Sequence, residues 1–255
     1  MFSDVFLTGT VQKLYDPAED GSTFAKVRVN KTIITSNGPV TSYANVLMRL
    51  RKGYEQYVGK VNPNDIVFAR GYLDVGEKGN PPFNVQTKKP VIVLNPWNVR
   101  ILGTATEELG NDDIGVVLLG HLGKEPEMRY LEDGSTAMTK FSLATSRGFT
   151  DVAGERVKET TWWNITYWRR LAETINAFAH VGSRLLVVGT LDFDPATHTL
   201  RTWERTDGGG IASSFQVTGQ TFTLADSKGE NKNGFHQNGI IPSDEIGRAS
   251  CRERV

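Results

Sequence analysis

The sequence predicts an all-β protein made of two tandem five-stranded barrels, and three observations support this fold class. Segments in which apolar and polar residues alternate, as in half-buried strands, recur along the chain as far as Leu224. These segments follow the same order in the two halves, which indicates an internal duplication. A single stretch has apolar residues at helical spacing, so we expect one short helix in an otherwise β pattern.

The duplication pairs four segments of the first half with four of the second. The pairs, in chain order, are 6–9 with 117–120, 24–29 with 138–143, 43–48 with 162–167, and 71–74 with 189–192. All of them have strand-like composition. We therefore expect each half to form the same unit.

The predicted helix lies between the third and fourth strands of the second unit. Leu171, Ile175 and Phe178 share one face of a helix, and Gly182 is a suitable stop signal. Three strands, a helix and two further strands, joined by turns such as Asp133-Gly134, are the order of the oligonucleotide-binding (OB) barrel. We therefore predict two OB barrels in tandem.

The predicted domain limits follow the repeat. We place the N-terminal barrel at residues 1–103, a linker at 104–111 and the C-terminal barrel at 112–224. Residues 225–255 are expected to form a disordered tail, because 225–239 are polar and almost free of apolar residues. Residues 246–255 read as the translation of a common sequencing-library adapter, so we interpret them as an artefact and expect the natural carboxyl end to be missing.

The charge of the chain is balanced, with 29 Lys and Arg against 29 Asp and Glu. The overall basic signature of many nucleic-acid-binding proteins is therefore missing. Residues 1–103 hold 13 basic and 8 acidic residues, whereas residues 112–224 hold 11 and 14. Any path for a nucleic acid must be locally basic.

Several classes of protein are disfavoured by the residues present. Cys251 is the only cysteine, and the four histidines are scattered, so we predict no metal site and no cofactor. Catalytic motifs such as a nucleophile elbow are missing, so the protein is not expected to be an enzyme. The sequence has neither a long apolar run nor a signal-peptide pattern, which favours a cytoplasmic protein without membrane contact.

Four segments of the second unit carry a resemblance to a known family. They are Val117–Tyr130, Phe141–Ser146, Thr161–Trp162 with Leu171–Glu173, and Leu200–Trp203. Through them, residues 115–224 resemble the bacterial single-stranded-DNA-binding protein family, which includes forms with tandem OB barrels. The first unit keeps the strand order but few of the family's residues.

The resemblance implies a function and partners. It implies binding of single-stranded DNA without regard to sequence, during replication, repair and recombination, in the nucleoid. Two barrels per chain imply a homodimer with four barrels, by analogy with family members that assemble four. Two features depart from the family: Asp192–Thr199 lengthens a hairpin, and the acidic carboxyl-terminal tip that recruits replication and repair proteins is not found.

The candidate binding residues of the second unit begin with two tryptophans on one strand. Alternation places Trp162 and Trp168 on one face with Asn164, and Trp163 on the core face. Tryptophans on a polar face suit the stacking of bases, since every base has a π face. The alternative is an interface with a partner chain.

Two further aromatic residues and several cations complete this set. Trp203 lies in a polar run before a glycine loop and is a stacking candidate, with an isolated exposed side chain as the alternative. Phe149 matches a stacking position of the family, with a hydrophobic plug under its loop as the alternative. The candidate phosphate contacts, each of which also fits plain solvated surface, are Arg147, Arg156, Lys158, Arg201 and Arg205.

In the first unit, the same alternation places Tyr43, Arg49 and Arg51 on one face. A ring and two guanidinium groups there favour electrostatic binding over stacking. The alternative is that this barrel contacts only protein. Two rival functions remain: an OB-fold interaction module of a replication or restart complex, and a metal-dependent nuclease, which would need clustered carboxylates.

Overall fold

The structure is a computed structural model that describes residues 1–35, 38–105, 112–150 and 153–225. Strands make up 59% of it and helices 8%, which confirms the all-β prediction. The predictions for the tail at 226–255, including its adapter-like end, and for linker residues 106–111 lie outside these ranges. Within them, no helix is long and apolar enough to cross a bilayer.

The first half forms a ring of strands. Its elements are β1 Phe2–Leu14, β2 Thr23–Thr35, β3 Gly38–Leu50, α1 Glu55–Val58, β4 Asp65–Leu73, a 3-10 turn at Glu77–Gly79, and β5 Ile92–Thr104. The strands lie in the order β2-β3-β5-β4-β1, and a further pairing of β1 with β2 closes the ring. The β3–β5 pair is parallel and the other pairs are antiparallel.

The second half forms a ring with the same pairing pattern. Its elements are β6 Ile114–Leu122, β7 Glu127–Tyr130, β8 Ala137–Thr150, β9 Arg156–Trp168, α2 Arg169–Phe178, β10 Arg184–Leu191, β11 Thr202–Glu204, β12 Ile211–Ser213 and β13 Phe215–Leu224. The order β6-β10-β13-β9-β8 is closed by a pairing of β6 with β8. Its parallel pair, β9–β13, occupies the place that β3–β5 has in the first half.

The two rings are joined through their first strands. β1 runs antiparallel to β6, from Phe2 opposite Leu119 to Leu7 opposite Ile114. Residues Met1–Ala225 consequently form one compact unit. A separate two-stranded hairpin, β11–β12, extends from the second ring.

The interior of each ring is filled by the inward residues of its strands. Along β9, Trp163, Ile165 and Tyr167 are fully buried while the residues between them face outward. The polar atoms of the two buried aromatic side chains are satisfied: Trp163 Nε1 donates to Thr145 Oγ1 at 2.9 Å, and the Tyr167 hydroxyl donates to the Thr221 carbonyl at 2.9 Å. Buried aromatic rings with paired polar atoms fix the register of β9, which positions its outer face.

Candidate nucleic-acid interface

The outer face of β9 carries two exposed tryptophans on either side of polar residues. Trp162 and Trp168 are each 39% exposed, and Asn164 lies between them on the same face. At about 3.3 Å per residue, their Cα atoms are roughly 20 Å apart. At this distance the two indole rings offer two separate stacking surfaces.

A hydrogen-bonded polar track crosses the sheet between the tryptophans. Ser142 Oγ of β8 lies 3.1 Å from Asn164 Oδ1, to which it donates, and Asn164 Nδ2 donates to Ser214 Oγ at 2.9 Å. The two hydrogen bonds fix the Asn164 side chain between the segments that carry Ser142 and Ser214. The resulting surface is polar and has an exposed indole at each end.

Trp162 is held in place by glycine backbone. A Cβ atom on Gly123 would lie 2.6 Å from the six-membered part of the indole, and one on Gly79 would lie 3.1 Å from its Cδ1 atom. Because these glycines lack side chains, the ring packs on the backbone at both positions. One glycine follows β6 and the other belongs to the first half, so both halves fix this tryptophan.

The cations of the second ring divide between two sides of the β8–β9 hairpin. Lys158 and Arg156 are exposed on the side of β9 that carries Trp162. Arg147 is on the other side, where it donates to Glu159 Oε2 at 2.6 Å and lies 3.5 Å from the centroid of the Tyr72 ring. Arg147 is therefore occupied by contacts within the chain.

Phe149 lies beside Arg147, with 5.1 Å between its ring centroid and the guanidinium carbon. It is 40% exposed near the end of the hairpin and does not share the face of Trp162. The predicted cluster of Phe149 and Arg147 with Trp162 is thus close in sequence but split over two sides of one hairpin.

Trp203 belongs to the β11–β12 hairpin, opposite Ala212, and is 44% exposed. Arg201 and Arg205 flank it and are exposed as well. Gly208 and Gly210, in the loop that joins the two strands, have φ angles of +75° and +80°. The glycine turn closes a short hairpin that pairs with no strand of the second ring and leaves Trp203 exposed.

The first half differs most from the sequence prediction. The ring of Tyr43 is stacked on His198, with centroids 3.7 Å apart and planes 12° apart, and Arg28 lies 4.5 Å from its centroid. Both faces of this ring are therefore covered, which corrects the interpretation of Tyr43 as an open stacking surface. One face is covered by His198, in the Asp194–Thr199 segment of the second half, and the other by Arg28 of β2.

Arg49 and Arg51 do not form a pair of free cations on β3 either. Arg49 forms an ion pair with Asp20 at 2.5 Å and lies 5.9 Å from the Phe24 centroid. Arg51 follows the end of β3, which stops at Leu50, so strand alternation does not extend to it. It is exposed in the turn before α1.

Sequence reasoning missed residues that the fold brings to this region. The ring centroids of Tyr72 and Trp97 lie 5.7 Å apart, and the Tyr72 ring packs against the guanidinium group of Arg147. Trp97 is 55% exposed and stands in the polar run Asn95–Asn98, which is the same signal that identified Trp203. For Tyr72, no local pattern indicates that its partner lies in the other half.

Charges at the junction of the halves are partly buried. Burial raises the pKa of Asp192, while a hydrogen bond from the Thr218 hydroxyl and the positive charges of Lys31 and Arg201 lower it.

Within residues 1–35, 38–105, 112–150 and 153–225, no group of three or more His, Cys, Asp or Glu is arranged to hold a metal ion. The outer face of β9 has the residues of a binding surface, with stacking rings, amides and cations.

Comparison with known proteins assigns the family. Residues 114–223 match the model of the single-strand binding protein family. A single-stranded DNA-binding protein of Wolinella succinogenes is 33% identical over 121 residues, which are 47% of this chain and 68% of that protein. One of Neisseria meningitidis serogroup A is 41% identical over 76 residues, which are 30% of this chain and 43% of that protein's length. The chain belongs to the single-strand binding protein family.

A solved structure supports the fold over both halves. The wild-type single-stranded DNA binding protein from Thermus aquaticus matches with a TM-score of 0.56 and 20% identity, covering 91% of this chain and 97% of that one. A deletion mutant of the same protein gives a TM-score of 0.57. The likeness extends beyond the second ring, where the sequence resemblance is concentrated.

Proposed function

We propose that this protein binds single-stranded DNA without regard to sequence and that its two rings are OB barrels in tandem. The observation that carries the proposal is the outer face of β9, where Trp162 and Trp168 are exposed on either side of the Asn164 track. Bases of a single strand stack on aromatic rings, and polar groups between the rings hold the backbone without reading sequence. The matched relatives are named for the same activity.

The main contact surface in this proposal is the second barrel, with the exposed Trp203 hairpin closing over the strand. Lys158 and Arg156 share the side of Trp162 and are placed to contact phosphates. Phe149, Arg201 and Arg205 would extend the path beyond the sheet. The protein acts by coating exposed strands during replication, repair and recombination, and its role is binding and not catalysis.

Titration of intrinsic tryptophan fluorescence with oligo-dT, at two salt concentrations, tests the proposal. We expect strong quenching, and an affinity that falls steeply with salt because phosphate binding releases counterions. A salt-insensitive interaction, or none, would favour the rival function, a protein-interaction module that uses the same tryptophans.

The proposed assembly is a homodimer with four barrels, formed through the outer face of the strands that join the two rings. Outward residues of β4, β1, β6 and β10 form an apolar surface, here called the outer stripe, made of Phe2, Phe6, Phe68, Val117, Leu119, Leu186 and Val188. Asp4 lies within it and is paired with Arg70. An apolar surface centred on the junction of two similar units suits a second copy of the chain.

A further inference from the structure

A cleft of about 390 Å³ lies where the first half meets the outer face of β9. One wall is the loop after β4, with Val75, Gly76, Lys78 and Gly79, and the other is β9 from Lys158 to Trp162. Its volume is at the lower end of the range for ligand sites, about 300–1,000 Å³. The exposed tryptophan proposed to stack a base thus opens onto a space that the other half completes.

The loop that forms the first wall is closely fitted to β9. Gly79 is buried, has φ +75°, and packs so tightly on the Thr160 carbonyl that a Cβ atom would overlap it. The turn is closed by hydrogen bonds from the Gly76 amide to the Asn80 carbonyl at 2.7 Å and from the Asn80 amide to the Glu77 carbonyl at 3.3 Å. The backbone around Lys78 is therefore held in one place relative to Trp162.

The charged groups that line the cleft favour an anion. Lys78 contributes a positive charge from the loop wall and Lys158 contributes one from the β9 wall. Glu159 is the one carboxylate among the lining residues. Arg147 neutralises that carboxylate through the 2.6 Å hydrogen bond to its Oε2 atom. Two exposed lysines beside an exposed indole match the phosphate and the base of one nucleotide.

We propose that the first half takes part in DNA binding through this loop, with Lys78 and Lys158 holding a backbone phosphate of the nucleotide whose base stacks on Trp162. The inference rests on the proposed function and adds a binding residue from outside the region that matches the family. In the first half, Tyr43 on β3 is covered by His198 and is not open to a base. The loop after β4 therefore gives the first half its contact with DNA.

The chain contains a matched control for Lys78. Lys78 and Lys88 are both exposed, both lie in the loops between β4 and β5, and both have left-handed backbone, with φ 56° and 54°. Lys88 does not line the cleft. Asparagine tolerates this backbone conformation, so Lys78→Asn and Lys88→Asn remove the same charge with the same small effect on the fold.

The experiment is titration of the full chain with oligo-dT by tryptophan fluorescence, over a series of salt concentrations, for the wild type, K78N, K88N and K158N. We expect K78N and K158N each to bind about threefold to tenfold more weakly and to lower the slope of log K against log salt by up to about 0.7, the value for the one phosphate that the two lysines share. K88N should match the wild type in both quantities, and all variants should have the same melting temperature.

The outcomes separate this inference from the proposed function. If K78N matched K88N in affinity and slope while Trp162→Ala weakened binding, the loop would not belong to the site and the inference would be wrong, although the proposed function would stand. Weaker binding by K78N with an unchanged salt slope would also refute a phosphate contact. If the wild type failed to bind oligo-dT, both proposals would fall.

Discussion

The Tyr43 ring of the first half is stacked face to face on the His198 ring of the second, with centroids 3.7 Å apart. Further contacts support the stack: the Asn45 amide donates to the His198 carbonyl at 2.9 Å, and Thr199 Oγ1 donates to the Pro90 carbonyl at 2.7 Å. The hairpin at Asp194–Thr199 is therefore docked on β3. The position in the first half that corresponds to Trp162 is closed by a segment of its own chain.

Replacing Tyr43 should affect folding more than DNA binding. Tyr43→Ala removes the stack on His198 and the contact with Arg28, so we expect the free energy of unfolding to fall by about 1–2 kcal/mol. Oligo-dT affinity should remain within about twofold of the wild type, because the ring has no open face. Urea denaturation and fluorescence titration of the same variant measure the two effects. A loss of affinity comparable to that of Trp162→Ala would show that Tyr43 contacts DNA after all.

Replacing either tryptophan of the outer β9 face should weaken binding directly. Trp162→Ala and Trp168→Ala are each expected to cost about 1–3 kcal/mol in oligo-dT affinity, the usual contribution of one stacked base. Tyr57→Ala is the control, since Tyr57 is 83% exposed and lies on α1 of the first half, which contributes no residue to the β9 face. Equal losses in all three variants would mean that the effect is not specific to the proposed face.

Features that depend on local pattern were predictable from the sequence. The two-residue period of β9 was enough to place Trp162 and Trp168 outside and Trp163 and Tyr167 inside, because side-chain alternation is a property of any strand. The all-β class followed from the same pattern. The duplicated order of segments also paired strands that occupy the same place in the two rings, such as β3 and β9.

Features that depend on contacts between the halves were not predictable in this way. Whether Tyr43 is open or covered is decided by His198, which is 155 residues further along the chain. The ion pair of Arg49 with Asp20 and the position of Lys78 beside Trp162 are likewise set by loop conformations with left-handed residues. A sequence indicates that such turns occur but not where distant segments meet.

Asp192 should make the stability of the protein depend on pH. Its folded pKa is raised above the ordinary value of 3.8, first by burial, so its contribution to stability is fully present below pH 3.8 and is lost as pH rises through the folded pKa. Asp192→Asn keeps an acceptor for the Thr218 hydroxyl and removes the charge, so we expect a higher free energy of unfolding than in the wild type at pH 7. The difference should shrink as the pH is lowered towards 4.

Urea denaturation at pH 7 and pH 4.5 measures this difference. Asp16→Asn, at an exposed residue of the loop between β1 and β2, is the control for a change of net charge. A variant that is destabilised at pH 7 and less destabilised at pH 4.5 would indicate that the ion pair with Lys31, at 3.9 Å, outweighs the cost of burial.

A charge placed in the outer stripe should separate the proposed dimer. Leu119 faces outward from β6, and its register neighbours are Phe2 of β1 and Leu186 of β10, so a lysine at position 119 would bring an unpaired ammonium into the apolar surface. In an interface between two copies that charge would be buried twice, at a cost of several kcal/mol, whereas in a monomer it would reach water. We therefore expect Leu119→Lys to halve the mass measured by sedimentation equilibrium while leaving the circular-dichroism spectrum unchanged. Val85→Lys is the matched control, because Val85 is 79% exposed in the loop before β5. A wild-type chain that sediments as a monomer, or a Leu119→Lys variant that stays dimeric, would place the assembly surface elsewhere.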